Sequence, residues 1–188
     1  MDSISDNALM LKVKSGQLDQ LGLLFERYNR PLYGFFLRLT SDQEASEDLV
    51  QNVFVRIIKY RHTYKGDGKF STWMYHMARN LFADHYRKEK RMGYKEDVKV
   101  TDRYFANEDH AERTKIASEE LDLLQSALSS LPIDKREILV MSKYQGMKYQ
   151  DIAELLEITE SAVKVRIFRA LKELKLNYEK LEHQMVKP

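Results

Sequence analysis

The sequence predicts an all-α protein: two small helical domains joined by a flexible linker, the C-terminal one a helix-turn-helix. Three observations lead there. Glycine and proline number only seven and three in 188 residues, so little interrupts a helix. Apolar residues recur at three- and four-residue spacing through most of the chain, and no alternation of the kind a half-buried strand needs persists. From Met92 to Ser118 the spacing is lost and charges of both signs mix, which divides the chain into residues 1–91, a linker 92–118 and residues 119–188.

In the first part, helices are expected over Asp6–Lys14 and Gln17–Tyr28, with Ser15-Gly16 as the break. Pro31 suits the first turn of a third helix reaching Leu39. Ser41 is placed to cap the next, where Ala45, Leu49, Val53 and Ile57 recur every four residues and Val50, Phe54 and Ile58 widen the stripe. Asp42, Glu44 and Glu47 in its first turns suit the helix dipole. Gly66-Asp67-Gly68 marks a loop between His62 and Phe70, after which Ser71 is expected to cap a helix to about Arg91 with Met74, Met77, Ala78, Leu81 and His85 inward.

In the second part, Leu121, Leu124 and Leu128 open a helix that turns at Leu131-Pro132. The chain restarts at Asp134, paired with Glu137 as a cap, and Gly146 ends that helix. Tyr149–Leu156 then forms a short helix with Ile152, Leu155 and Leu156 inward, and Ala153 is small enough for a second helix to cross closely. Ile158 fills the turn and Thr159 caps the following helix, whose stripe is Val163, Ile167, Ala170, Leu171 and Leu174. Its other side carries Ser161, Lys164, Val165, Phe168, Arg169 and Lys172. Two helices joined by a tight turn, the second rich in donors, fit the major groove of DNA. Ser161, Lys164 and Val165 are placed for base edges; Arg166, Arg169 and Lys172 for phosphates; Val165 and Phe168 for thymine methyls.

Composition narrows the alternatives. The 31 basic residues nearly balance 29 acidic ones, so net charge alone implies no nucleic acid; the local clusters Lys164–Lys175 and Arg87–Arg91 do. Zero cysteines exclude disulfides and thiolate metal sites, and no metal or other cofactor is expected. No run approaches the roughly 20 apolar residues of a membrane span, so membrane insertion is not expected. The N-terminus has no basic signal-peptide region, and a cytoplasmic protein is expected. The five histidines form no HExxH pattern, and neither a phosphate-binding glycine loop nor a nucleophile elbow occurs, so catalysis is not expected. A regulator with an N-terminal sensor domain and a helical adaptor that binds only protein remain as alternatives.

With both halves placed, the sequence resembles RNA polymerase sigma factors of the extracytoplasmic-function group of the sigma-70 family, which keep only regions two and four. YNRPLYGFFLRLTSDQEASEDLVQNVFVRIIKY and FSTWMYHMARNLFADHYRKEKR carry region two; LSSLPIDKREILVMSKYQGMKYQDIAELLEITESAVKVRIFRALKELK carries region four. The resemblance implies a transcription initiation factor whose partners are core RNA polymerase, promoter DNA and an anti-sigma factor. It assigns Asp48, Gln51, Asn52 and Arg56 to a coiled coil of the largest polymerase subunit. It assigns the loop TYKGDGKF and the following helix to capture of an unpaired base and opening of the minus-10 element, with Lys65, Lys69, Trp73, Arg79, Asn80, Asp84 and Arg87 as candidates and Tyr75 and Tyr86 as further aromatic faces. Region four would read minus-35 through Ser161, Lys164, Val165, Arg166, Phe168, Arg169 and Lys172. Two departures from the family pattern stand out: Glu157 where the turn often has glycine, and Val165 where a small polar residue is common.

Overall fold

The computed structural model describes residues 4–92 and 113–185. Residues 93–112, the greater part of the expected linker, lie outside the described residues. The chain separates into two compact units, Met1–Lys95 and Glu96–Pro188. Among the described residues the regular structure is helical throughout, with no strand.

The first unit contains α1 (Asp6–Lys14), α2 (Leu21–Thr40), α3 (Gln43–Tyr60) and α4 (Phe70–Met92). Its core gathers Leu9, Met10 and Val13 of α1, Leu24, Leu32, Phe35 and Phe36 of α2, Val53 and Ile57 of α3, and Phe70, Met74 and Ala78 of α4. Two expected helices prove to be one: α2 runs unbroken through Pro31. An internal proline forfeits a hydrogen bond and crowds the preceding turn, at roughly 3 kcal/mol. Here its ring faces solvent, and burial of Leu24 before it and Leu32, Phe35, Phe36 and Leu39 after it holds both halves on one axis.

The cap of α3 lies one residue later than expected. Asp42, not Ser41, accepts from the Ala45 amide, at 2.9 Å. Ser41 instead adopts a left-handed conformation (φ 57°) that closes α2, its amide bonded to Leu37 O at 2.9 Å. Ile58, placed on the inner stripe, is 37% exposed, because it lies about 100° round the helix from the fully buried Ile57.

The second unit contains α5 (Arg113–Ser129), α6 (Ile133–Leu139), α7 (Tyr149–Leu156) and α8 (Glu160–Met185). α6 passes into a π-helical turn, Val140–Tyr144, and Gly146 (φ 60°) ends it as the sequence indicates. Asp134 and Glu137 do not form the expected capping pair. The helix starts one residue earlier, at Ile133, after Pro132, whose carbonyl accepts from the Lys135 and Arg136 amides at 3.0 Å. Arg136 is buried and donates to the carbonyls of Ser129 and Leu131, closing the end of α5. Thr159 caps α8 as expected, accepting from Ala162 at 3.1 Å.

Candidate nucleic-acid interface

In the helix-turn-helix, Ile152, Ala153 and Leu155 of α7 and Val163, Ile167 and Ala170 of α8 are buried. Leu171, expected on the same stripe, is 37% exposed: it lies about 80° from Val163, at the stripe's edge. Leu156 and Leu174 are half-buried. The turn between the helices is set by Glu157, left-handed at φ 54°, and by the Ile158 amide bonded to Ala153 O at 3.0 Å. A side chain with a Cβ is strained there. Glu157→Gly is therefore expected to stabilise the second unit by about 0.5–1 kcal/mol, read as a rise in melting temperature in calorimetry.

Burying one side of α8 fixes what the other offers. Ser161, Val165, Phe168 and Lys172 recur at four, three and four residues and lie within about 40° of the point opposite Val163. All four are exposed, Phe168 by 70%. Lys164 and Arg169, also exposed, flank this strip on either side, and Arg166 lies further round, beside the buried face. Glu173, the one acidic residue within Ser161–Lys175, bonds Lys135 of α6 at 2.5 Å. Among the described residues no carboxylate pairs with Lys164, Arg166, Arg169 or Lys172. A strip with a hydroxyl, two apolar side chains and Lys172 along its centre and further cations at both edges suits base edges flanked by phosphates.

In the first unit, Trp73, Asn80, Asp84 and Arg87 share one stripe of α4 at helical spacing. Asn80, Asp84 and Arg87 are exposed, and Trp73 is half-buried against Tyr64 (ring centroids 5.1 Å) and Phe70 (6.2 Å). Arg79 sits about 100° from Asn80 and is half-buried. Lys65 and Lys69 are exposed on the loop before α4. Tyr75 is not an available aromatic face: it is 4% exposed and packs edge-on against Phe35 at 5.3 Å, burial holding its phenol well above the usual range. Tyr86 is half-buried, tilted against Phe82. His85, expected inward, is half-buried. Its buried Nε2 makes no hydrogen bond, and Glu89 lies 3.4 Å away.

On α3, Asp48, Gln51 and Asn52 are exposed, and Asn52 Nδ2 donates to Asp48 O at 2.9 Å. Arg56 is half-buried and turned toward α4, where Asp84 receives both Arg56 (3.4 Å) and Arg87 (2.5 Å). Val55, absent from the sequence-based candidates, is 59% exposed and lies, round the helix, between Gln51 and Asp48. An apolar residue centred on a polar face was the available signal.

The α4 start also differs from expectation. The helix begins at Phe70, one residue before Ser71, and the Phe70 amide donates to Asn7 Oδ1 of α1 at 2.8 Å. The cap thus comes from another helix, while the Ser71 hydroxyl is bonded to Tyr28.

An all-helical chain in which a cation-edged helix-turn-helix accompanies a four-helix unit defines a class of DNA-binding protein. The family model for Sigma-70 region 2 matches residues 24–92, and that for Sigma-70, region 4 matches 121–174, together well over half of the chain. RNA polymerase sigma-H factor of Pseudomonas aeruginosa is 28% identical over 172 residues, spanning 88% of this chain and 89% of that protein. ECF RNA polymerase sigma factor SigX of Bacillus subtilis is 28% identical over 171 residues, spanning 87% and 86%. Among solved structures, CnrH in complex with the cytosolic domain of CnrY has a TM-score of 0.71 at 22% identity, over 93% of this chain and 97% of that one. The sigma factor RpoE from Bartonella quintana, solved with the anti-sigma factor NepR, gives 0.70 at 22% identity, over 85% and 96%. At such identities these two establish the likeness of fold. The chain belongs to the sigma-70 family of RNA polymerase sigma factors, in the ECF group, and is a promoter-specific transcription initiation factor. No described helix is long and apolar enough to cross a membrane, and no group of three or more potential metal-ligating side chains gathers among the described residues.

Proposed function

We propose that residues 119–188 bind the minus-35 element through α8, that residues 1–91 bind core polymerase and open the minus-10 element, and that residues 92–118 link the two. The observation that carries this reading is the exposed strip Ser161–Val165–Phe168–Lys172 edged by Lys164 and Arg169. The strip's centre touches base edges and thymine methyls, while Lys164, Arg166 and Arg169 hold phosphates. In the first unit, Lys65 and Lys69 on the loop, with Trp73, Arg79, Asn80 and Arg87 on or beside the α4 stripe, engage the opened strand, and Asp84 orients Arg87. Stacking on an aromatic face beside cations replaces part of the lost base stacking, about 1–3 kcal/mol per base. Asp48, Gln51 and Asn52, with Val55 at their centre, form the polymerase-docking face of α3, bordered by Arg56. The factor acts by binding rather than by catalysis, in the cytoplasm. RpoE from Bartonella quintana is solved in complex with the anti-sigma factor NepR; an anti-sigma protein covering these faces would hold the present chain inactive.

The test is reconstitution: core RNA polymerase with and without the chain, on a library of randomised promoter fragments. Run-off transcripts that start at defined positions only when the chain is present are the expected result. Equal transcription without it would refute the reading.

A further inference from the structure

The minus-10 loop, residues 64–69, is held from behind by α1, a helix that precedes the segment matched by the region-two model. Three residues of α1 at four- and three-residue spacing, Asn7, Leu11 and Lys14, form one face toward it. Lys14 Nζ donates to Tyr64 O at 2.5 Å. Leu11 covers Gly66, where an added Cβ would lie 3.3 Å from a leucine methyl and where φ is +84°. Asn7 Nδ2 donates to Gly68 O at 2.7 Å while its Oδ1 accepts from the Phe70 amide at 2.8 Å. Those two partners fix the orientation of the Asn7 amide, since only one assignment matches donor to acceptor at both ends. The adjoining face of α1, Leu9, Met10 and Val13, is fully buried in the core, so the gripping face is rigidly based. The grip falls on residues 64, 66 and 68, and the alternate residues Lys65, Asp67 and Lys69 stand exposed.

We propose that α1 is a positioning strap for promoter opening: Asn7, backed by Leu11 and Lys14, holds the loop in the shape that receives the unpaired base and ties that loop to the first amide of α4. The proposal rests on the reading that this loop engages minus-10. Asn7 is a positioning residue and touches no DNA. Aspartate at this position keeps the acceptor for the Phe70 amide and loses the donor to Gly68, so it releases the loop while leaving α4 capped. Leu11 is 45% exposed, and its truncation loosens the loop with little threat to folding.

The experiment uses the full chain with core polymerase on a promoter fragment recovered by the reconstitution above. Permanganate reactivity of unpaired minus-10 thymines is read for Asn7→Asp, Leu11→Ala and a loop variant, Lys65→Glu. Core affinity and melting temperature are measured alongside. Trp73 is the only tryptophan, and it packs on Tyr64 and Phe70, so acrylamide quenching of its fluorescence reports loop order independently of DNA. Both α1 variants are expected to lower opening about tenfold, the loss of one hydrogen bond or its equivalent in packing, with increased quenching and unchanged core affinity. If Lys65→Glu impairs opening and neither α1 variant does, the strap is overturned and the loop's role stands. If Lys65→Glu also leaves opening unchanged, the loop's role falls and the strap with it.

Discussion

Replacing Lys164 and Arg169 together by glutamate is expected to lower promoter binding by the polymerase complex at least about 100-fold, and to shrink the slope of log affinity against log salt by about two. The two cations flank the outer strip of α8 from opposite sides, and no described carboxylate holds either. Each therefore has a phosphate within its reach when the strip's centre meets base edges, and each releases a counterion on binding. Reversal adds repulsion from the same phosphates. Because both side chains are exposed, the fold should tolerate the change, and circular dichroism should show the helices intact. Gel-shift titrations at several salt concentrations measure both quantities. A normal slope with normal affinity would place the DNA elsewhere.

A second large effect is expected at Arg136, through stability rather than contact. This residue is 2% exposed, and its guanidinium serves the Ser129 and Leu131 carbonyls at the end of α5. Arg136→Ala strands those acceptors and empties the volume of a long side chain. The combined cost is about 3 kcal/mol, or a fall of roughly 10–20 °C in the melting of the second unit. Lysine at this position retains the charge but not the planar fork, and should recover only part of the loss. Thermal unfolding of the full chain followed by circular dichroism checks both variants. An alanine variant melting within about 2 °C of the parent would show that α5 is closed by other means.

Much of this was legible in the sequence, because helical periodicity is a local signal. The α7–α8 pairing, the Thr159 cap, the Gly146 stop and the exposure of all seven α8 candidates follow from spacing and residue type alone. What spacing could not supply was set by partners distant in sequence. Pro31 interrupts a pattern read locally, yet core packing carries α2 straight through it. Ser71 has the right chemistry for a cap, but α4 already begins at Phe70, whose amide is held by Asn7, 63 residues before it. Tyr75 and Trp73, two residues apart, face different sides of α4, where packing on Phe35 makes the tyrosine core and Tyr64 and Phe70 leave the tryptophan half-buried. Arg56 has the polarity of the α3 docking face, but its length lets it reach across to Asp84.

That last contact bears on any effort to dissect the molecule by substitution. Because one carboxylate answers to arginines from two helices, trimming Arg56 also changes the electrostatic surroundings of Arg87. If the α3 and α4 surfaces act as proposed, a survey that scores them separately would credit some loss of strand separation to the wrong helix. Only a cycle combining single and paired changes at Arg56 and Arg87 apportions the effect, and its departure from additivity measures the coupling of the two arginines through Asp84.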